Sequence, residues 1–594
     1  RPEYERLCGE YGYAVARVDL RGTGSSEGVA TDEYPASEQA DLCQVIGWLA
    51  DQPWSTGAVG MYGTSYSGFN ALQVAAERPP ALRAIIAIYA SDDRYTDDVH
   101  YTGGAVKLLD LVDYPLYMVA LNALPPVPAI AGPGWRERWR ERVEGLEPWL
   151  LRWLEEQADG PYWRQGSLRP AYERIACPTM LVAGWADGYR NGTFRVMERL
   201  RAPTRLLFGP WSHMATDSSL PGPRIDLVPE MVRWWDRWLR GQRNGVDEAP
   251  PVTVFVRHAT RPAPDLDEHA GVWRDEPAWP PARATTLALA LGAAGHPAPD
   301  PRGPGPVPVA GGAGPAGSAV DRLEVRPDVG SAAWISCAGH LPFGQPDDQR
   351  EDDAWSLTYD WELDQELEIL GAPRLAVRVG ASAPVAFLSA KLCDVFPDGT
   401  SALVARGFLN LTRRRSLTEP EPLRPGLVEP VELELDATSW VFPAGHRLRL
   451  SLAGADWPNL VPPPGPVTLT VERDGSTLTL PVLHGPSPAP PPSLPPTGAP
   501  GAGAGVPDPP TRWRVVRDVL GRRTEAEIAH GGRRELPDGA VLVERYRGTV
   551  GAGLDPPGPT WAQGSAQYRI EWPEATVATS VRLDLRGDAG AFEL

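Results

Sequence analysis

Short apolar runs alternate with helix-patterned segments through the first third of the chain. Residues 13–18, 59–62 and 84–89 have the length and composition of buried strands. Residues 42–49 and 69–76 carry apolar side chains at helical spacing. Because strands alternate with helices, the sequence predicts an α/β fold, with a parallel-rich sheet and helices on both faces.

The alternation stops between residues 96 and 170, where two long helical patterns cover residues 105–122 and 134–158. A helical insertion of this kind commonly forms a cap over the edge of the sheet. Strand-like runs resume at 179–184 and 204–208. An amphipathic helix then ends the unit, with an apolar stripe of Met231, Trp234, Trp235, Trp238 and Leu239. We therefore predict a core made of residues 1–95 and 171–245, with a helical cap over 96–170.

The sequence pattern after residue 245 predicts mainly β structure. Residues 431–435 and 447–452 alternate strictly, and Asp474–Gly475 between two strand patterns predicts a hairpin turn. These patterns predict a jelly-roll β-sandwich over residues 246–484. Residues 485–510 are rich in Pro, Gly and Ala and predict an extended linker. Residues 511–594 predict a further β-rich domain that is incomplete, since the chain ends inside a strand pattern.

Composition narrows the class of protein. A hydrophobic content of 42% with 22 tryptophans in 594 residues is typical of proteins with globular cores. The sequence contains no run of eighteen apolar residues, so it predicts no membrane-spanning helix. The net charge of -19 argues against a nucleic-acid partner. The five cysteines are scattered, so we expect no disulfide framework, no metal site and no cofactor. We expect a bacterial, cytoplasmic protein, although residue 1 is Arg and an upstream signal peptide stays open.

The segment Gly63-Thr-Ser-Tyr-Ser-Gly68 joins a predicted strand to a predicted helix. A serine on such a turn is the nucleophile elbow of an α/β-hydrolase, whose usual pattern is G-x-S-x-G. Here Ser67 stands at the second glycine position and Gly68 follows it. A serine hydroxyl becomes a good nucleophile when a base accepts its proton and an acid orients that base. Ser65 therefore requires a later acid and a later histidine.

Asp187 and His213 meet this requirement. Each follows the carboxyl end of a predicted strand, in the chain order Ser, Asp, His. His100 precedes the acid and breaks that order, and the other histidines lie beyond the core. The alternative for Asp187 is a turn-forming Asp-Gly pair with Gly188.

These three segments resemble the catalytic motifs of the cocaine esterase and X-Pro dipeptidyl peptidase family of hydrolases. The matching residues are Gly63-Thr-Ser-Tyr-x-Gly, Gly184-Trp-Ala-Asp-Gly and Gly209-Pro-Trp-Ser-His, with further similarity at 19–28, 391–399 and 442–447. The resemblance implies Ser65 as nucleophile, Asp187 as acid, His213 as base, and the Tyr66 backbone N–H as one oxyanion donor. It also places a second donor, a tyrosine hydroxyl, upstream of residue 1. We therefore expect a chain truncated at its N-terminus and also at its C-terminus.

Three further residues are candidates for substrate binding. Trp185 and Trp211 adjoin the acid and the base, and each predicts either an aromatic pocket wall or core packing. Asp93 predicts either a carboxylate for the amino group of an aminoacyl substrate or a helix cap, and capping is the favoured interpretation.

The expected activity is hydrolysis of an ester or amide acyl bond, by an acyl esterase or an X-Pro-type dipeptidyl peptidase. A small ester, an amide or a short peptide is the expected substrate, with no membrane partner and a homodimer as a candidate assembly. The alternatives are an inactive remnant of such an enzyme and a saccharide-binding protein that uses the jelly roll.

Overall fold

A six-stranded sheet forms the centre of the first domain. The computed structural model describes residues 2–293, 319–333, 345–497, 510–536, 539–555, 558–587 and 592–593. In spatial order, the strands are Val59–Thr64, Leu82–Ile88, Thr179–Gly184, Thr204–Gly209, Val252–Arg257 and Gly271–Glu276. The first five are parallel and the last is antiparallel. The last two strands lie beyond residue 245, so the sheet takes in chain from the region predicted as jelly roll.

Helices cover both faces of this sheet. The strand Val59–Thr64 shows this directly, because a Cβ on Gly60 would meet the Trp235 ring and one on Gly63 would meet Ser67. Residues 60 and 63 point to opposite faces of a strand. The helices of this domain are Pro2–Gly9, Ala36–Ala50, Tyr66–Glu77, Arg190–Arg199 and Val228–Trp238. None of the helices in the described ranges is long and apolar enough to cross a membrane.

The strand predicted over residues 13–18 does not form. These residues carry no ladder pairing, and Val18 is 41% exposed. The sheet edge at Val59–Thr64 pairs with Leu82–Ile88 alone. A β-strand is defined by backbone hydrogen bonds to an adjacent strand, so an apolar segment that has no such neighbour stays irregular.

The cap is helical, as predicted, but both long helical patterns are broken. The first divides into Leu108–Leu111 and Tyr114–Asn122, and the second into Trp135–Glu144 and Trp149–Glu155. Pro115 and Pro148 explain the breaks, because a proline has no N–H to donate to the preceding turn and therefore lies at the start of a helix. The other cap elements are Tyr101–Thr102, Ala105–Val106, Pro128–Ala131, Pro161–Arg164 and the 3₁₀ turn Tyr172–Arg174.

The following domain is an antiparallel β-sandwich. One sheet has the order Glu429–Glu434, Arg374–Ala381, Thr468–Leu483, Leu367–Gly371 and Thr438–Phe442, with Val320–Glu324 and Ala284–Ala290 also on the long strand Thr468–Leu483. The other has the order Leu357–Glu362, Arg447–Ala453, Phe387–Val395 and Ser401–Asn410. Three 3₁₀ or α turns accompany them, at Leu291–Ala293, Arg350–Asp353 and Leu411–Arg413. Apolar side chains from both sheets share one core.

The hairpin turn predicted at Asp474–Gly475 is wrong. These residues lie inside one continuous strand, Thr468–Leu483, that pairs with Arg374–Ala381 on both sides of them. Arg378 pairs with Glu472 but Ala376 pairs with Thr477, so the intervening residues form a bulge. Gly475 supplies the left-handed backbone that this bulge needs, with φ of 79°. Asp-Gly pairs occur both in bulges and in hairpin turns, so this pair alone did not distinguish the two structures.

The C-terminal segment forms a separate antiparallel sheet of six strands. Its strands follow chain order: Arg512–Asp518, Arg523–Glu535, Val541–Gly553, Thr560–Glu571, Thr576–Gly587 and Phe592–Glu593. One face packs on the cap helix Tyr114–Asn122, where Leu116 lies against Gly564, and on Val112 just before that helix, which lies against Gly548. In the predicted linker, residues 485–497 contain no strand beyond a bridge from Pro496 to Ile225, and residues 498–509 lie outside the described residues.

Candidate active site

Ser65 sits on a strained turn between the strand Val59–Thr64 and the helix Tyr66–Glu77. Its backbone has φ of 61°, a conformation that a residue with a side chain rarely adopts. The turn is held because the Ser65 N–H donates to Ile88 O at 2.8 Å, while Ser65 O accepts from Phe69 N–H at 2.9 Å. This geometry holds the serine side chain at the carboxyl end of the sheet, as the elbow motif predicts.

The irregular glycine spacing in the motif has a steric explanation. A Cβ on Gly68 would lie 2.8 Å from Ile88 O and 2.9 Å from Gly63 O, both backbone atoms. The helix and the sheet are therefore so close at Gly68 that a side chain would not fit between them. Ser67 is exposed at the neighbouring position and does not require a glycine.

Asp187 and His213 lie together after neighbouring parallel strands. His213 Nδ1 is 3.0 Å from Asp187 Oδ1, and that oxygen also accepts from the Gly188 N–H at 2.6 Å. The Asp187 side chain is fully buried, and the His213 side chain is 12% exposed to solvent. The carboxylate favours the tautomer with the proton on Nδ1, which leaves the Nε2 lone pair available as a base.

No hydrogen bond joins the Ser65 hydroxyl to His213 within the described ranges. Catalytic hydrogen bonds are often long in a free enzyme and shorten when substrate binds. The structure thus brings the predicted acid and base into contact and holds the predicted nucleophile on the elbow.

The side chain of Tyr66 packs against the helix Ala36–Ala50 and Tyr34. Its hydroxyl donates to Glu38 Oε2 at 2.9 Å and accepts from the Tyr34 N–H at 3.1 Å, and its ring stacks on Tyr34. Burial raises the pKa of Glu38 to about 7 and holds the pKa of Tyr66 well above its usual range. Because Tyr66 is the first residue of the helix, its N–H has no partner within the helix and is available to an oxyanion.

Two tyrosines that the sequence did not single out flank His213. The rings of Tyr89 and Tyr189 each lie 5.5 Å from the His213 ring. Tyr89 is buried with φ of 49°, and its hydroxyl has no partner among the described atoms. The Tyr189 hydroxyl contacts Asp98 Oδ1 at 3.2 Å. The signal available was position: Tyr189 lies two residues after the acid, and Tyr89 lies at the end of the strand beside the elbow.

Trp185 and Trp211 pack in the core. Both are at most 1% exposed, and their indole N–H groups donate to Phe255 O at 2.7 Å and Pro223 O at 2.8 Å. The Trp185 ring packs on Phe208, with centroids 4.1 Å apart. The core-packing alternative therefore describes both side chains, although one edge of Trp185 also borders a cleft toward the sandwich.

Asp93 accepts hydrogen bonds from the turn that follows it. Its Oδ1 accepts from the N–H groups of Tyr95 at 2.9 Å and Thr96 at 3.0 Å, and Arg169 lies 3.6 Å from Oδ2. Tyr95 and Thr96 lie in a turn and not in a helix, so the helix cap that the sequence favoured does not form. An amine-binding role for Asp93 stays a prediction.

His100, the alternative histidine, is used elsewhere. It is buried at the base of the cap, with Nε2 2.9 Å from Glu33 Oε2 and Nδ1 2.9 Å from Arg94 O. Across the described parts of the chain, no group of three or more His, Cys, Asp or Glu side chains is arranged to hold a metal ion.

A parallel-rich sheet, an elbow serine and an Asp–His pair at neighbouring strand ends define the class of α/β-hydrolases. Comparison with known families narrows the class. Residues 4–215 match the model of the X-Pro dipeptidyl-peptidase S15 family, and residues 244–487 match the C-terminal non-catalytic domain of X-Pro dipeptidyl-peptidase. The two models together cover most of the chain, which belongs to this family of hydrolases.

Individual relatives agree with this assignment. The chain is 28% identical to cocaine esterase from Rhodococcus sp. (strain MB1 Bresler) over 484 residues, which covers 75% of this chain and 81% of the esterase. It is 24% identical to a putative Xaa-Pro dipeptidyl-peptidase from Streptomyces avermitilis over 547 residues, covering 81% and 73% of the two chains. A CocE/NonD family hydrolase from Staphylococcus aureus shares the fold, with a TM-score of 0.56, 18% identity, and coverage of 78% of this chain and 79% of that one.

Proposed function

We propose that this hydrolase cleaves an ester or amide acyl bond through a covalent acyl-enzyme on Ser65. The contact of His213 Nδ1 with the buried Asp187 Oδ1 at 3.0 Å carries the proposal, because it orients a base at the sheet edge that holds Ser65. The names of the esterase and peptidase relatives support the same chemistry.

The first half-reaction forms the acyl-enzyme. His213 Nε2 takes the Ser65 hydroxyl proton as Oγ bonds to the carbonyl carbon, and the carbonyl π electrons move onto oxygen. The Tyr66 N–H donates to that oxyanion. The tetrahedral intermediate collapses, His213 returns the proton to the leaving alcohol or amine, and an ester to Ser65 remains. In the second half-reaction, water takes the place of the Ser65 hydroxyl, and His213 passes its proton back to Ser65 as the acid leaves.

Asp187 acts through His213. Its buried carboxylate fixes the imidazole tautomer and stabilises the imidazolium that forms in each half-reaction.

One observation favours an acyl group with a free α-amino group. Asp98 is buried, and its Oδ2 has no hydrogen-bond partner among the described atoms. Its Oδ1 contacts Tyr189, whose ring lies against His213. Burial raises the pKa of Asp98 to about 6, so an ammonium group nearby would stabilise the charged carboxylate. Aminoacyl esters and N-terminal dipeptides carry such an ammonium group.

The experiment follows two p-nitrophenyl esters, one of a neutral acid and one of an α-amino acid, together with an X-Pro p-nitroanilide. Acyl-enzyme chemistry predicts a rapid initial burst of p-nitrophenol equal to the enzyme concentration wherever deacylation limits turnover. Ser65→Ala should abolish hydrolysis of all three substrates. A folded wild-type protein that hydrolyses none of them would support the alternative of an inactive remnant.

Asp98→Asn tests the preference for an amino group, with Asp93→Asn as the matched control. The proposal expects Asp98→Asn to lower kcat/KM for the α-amino ester by about tenfold or more, and to leave the neutral ester nearly unchanged. Equal losses on both esters would remove the amine site. Selective loss in Asp93→Asn instead would move that site to Asp93.

A further inference from the structure

A cleft that is open to solvent lies between the hydrolase sheet and the β-sandwich. Its walls combine aromatic and aliphatic side chains with arginines from both domains. The apolar part includes Trp185, Trp440, Pro210, Ala263 and Leu266.

Four arginines border this cleft, and three of them are neutralised. Arg190 pairs with Asp436 at 2.5 Å, Arg406 with Asp456 at 3.0 Å, and Arg261 with Asp398 at 2.9 Å. In these pairs the charge of each arginine is balanced by a carboxylate. The net charge of the cleft therefore depends on the fourth arginine.

Arg257 is that fourth arginine, and it has no carboxylate partner within the described ranges. It is 8% exposed, and the rings of Trp185 and Trp440 lie 5.5 and 5.3 Å from its guanidinium carbon. Its Nε and Nη2 donate to neutral groups of the sandwich: Ser439 O, Thr438 Oγ1 and Val404 O. Nη1, which carries two N–H donors, makes no hydrogen bond among the described atoms.

The surroundings respond to this uncompensated charge. Burial, with Arg190 adding to it, lowers the pKa of Arg257 to about 9. Burial and then Arg257 lower the pKa of His269 to about 3, so His269 is neutral at pH 7. A buried cation with no counter-ion is costly, and an anion in the cleft would remove that cost.

We propose that this cleft binds an organic monocarboxylate, with its carboxylate on Arg257 Nη1 and its apolar body against the tryptophan, proline and alanine wall. The guanidinium supplies a charge-assisted hydrogen bond, and the apolar wall distinguishes the ligand from a bare oxyanion. Ala186 and Pro210 line the cleft, beside Asp187 and in the loop of His213. The lining does not include Ser65, Asp187 or His213, so we treat the cleft as a separate site.

The test is titration calorimetry at constant ionic strength, with benzoate as probe, benzamide as its neutral analogue and sulfate as a bare oxyanion. We expect benzoate to bind wild type and Ser65→Ala equally, and benzamide and sulfate to bind at least about tenfold more weakly. Because binding is read in Ser65→Ala, the result is independent of the proposed catalytic role. Failure of benzoate to bind wild type, or equal binding of benzamide or sulfate, would overturn the proposal.

Two variants locate the site. Arg257→Met removes the charge, and Ala263→Trp fills the cleft while Arg257 keeps its contacts with the sandwich. Both should weaken benzoate binding by about tenfold or more. Ala270→Trp adds the same ring at an exposed position of that loop outside the cleft, and should bind as wild type does. Unchanged binding in a folded Ala263→Trp protein would place benzoate elsewhere and refute the assignment.

Discussion

At the scale of single residues, each residue of the candidate site has a distinct structural role. Ser65 carries the strained backbone, Gly68 permits the close approach of helix and sheet, and Asp187 orients His213. The acid and base could be predicted because each closes a strand in the expected order. For Tyr89 and Tyr189 the sequence offered only their positions in the chain, because their contact with His213 depends on which loops meet around it.

Asp187→Asn tests the orienting role of the acid. Asparagine has similar size, but it can hold His213 in the tautomer that places the proton on Nε2, where no base remains. We expect kcat to fall by about 10³–10⁴, with the fold intact by circular dichroism. Asp217→Asn, an exposed change in the loop that carries His213, is the control and should retain activity. A fall of less than tenfold in Asp187→Asn would contradict the role given to Asp187.

The buried Glu38 beneath Tyr66 predicts a pH dependence of stability. Its pKa is raised to about 7 in the folded protein, mainly by burial, against 4.5 ordinarily. The unfolded chain therefore releases this proton more readily, and stability falls as pH rises between these two values. Glu38→Gln removes the titration and keeps an acceptor for the Tyr66 hydroxyl. Urea unfolding should show wild type losing about 3 kcal/mol relative to Glu38→Gln from about pH 4.5 to 7.5. Parallel pH profiles would contradict the burial of this charge.

At the scale of elements, the structure differs from the predictions at segments whose conformation depends on a neighbouring strand. The apolar run at 13–18 has no neighbouring strand, and Asp474–Gly475 bulges because Arg374–Ala381 pairs on both sides of it. Where the neighbouring element is present, the predicted element forms, as at Val59–Thr64 and Tyr66–Glu77. Which neighbour each segment receives is a property of the whole fold, and a single sequence does not contain it explicitly.

The elbow provides a prediction at this scale. Gly68→Ala would place a Cβ against two backbone oxygens that cannot move without separating the helix Tyr66–Glu77 from the sheet. We expect a loss of about 2 kcal/mol or more in the free energy of unfolding, with loss of esterase activity. Ser67→Ala, at the exposed position beside it, should stay within about 0.5 kcal/mol of wild type. Thermal unfolding of the pair measures the difference, and similar melting temperatures would disprove the packing argument.

At the scale of the whole molecule, the C-terminal sheet extends the core of the cap. The sequence predicted that residues 511–594 are β-rich but gave them no docking site. The structure sets this sheet on the helix Tyr114–Asn122, with His530 Nε2 3.0 Å from Asp113 Oδ1 at the start of that helix. Long-range packing of this kind leaves no mark in local periodicity, so it lay beyond prediction from the sequence.

Two leucines on the same helix test the docking. Leu116 is 3% exposed and lies against Gly564, whereas Leu121 is 42% exposed. Leu116→Asp would bury a charge between the cap and the C-terminal sheet, and should destabilise the protein by about 3 kcal/mol or more. Leu121→Asp should change stability by less than about 0.5 kcal/mol. Equal effects in denaturant titrations would show that the sheet does not cover this face in solution.

The central claim, that Ser65 is the nucleophile of a working hydrolase, is tested most directly by a fluorophosphonate probe and intact-protein mass spectrometry. The probe phosphonylates serine hydroxyls that a neighbouring base activates. The account predicts one adduct per chain, mapped to the peptide that contains Ser65, and absent from Ser65→Ala. A folded wild-type protein that stays unlabelled, or an adduct that persists in Ser65→Ala, would contradict it.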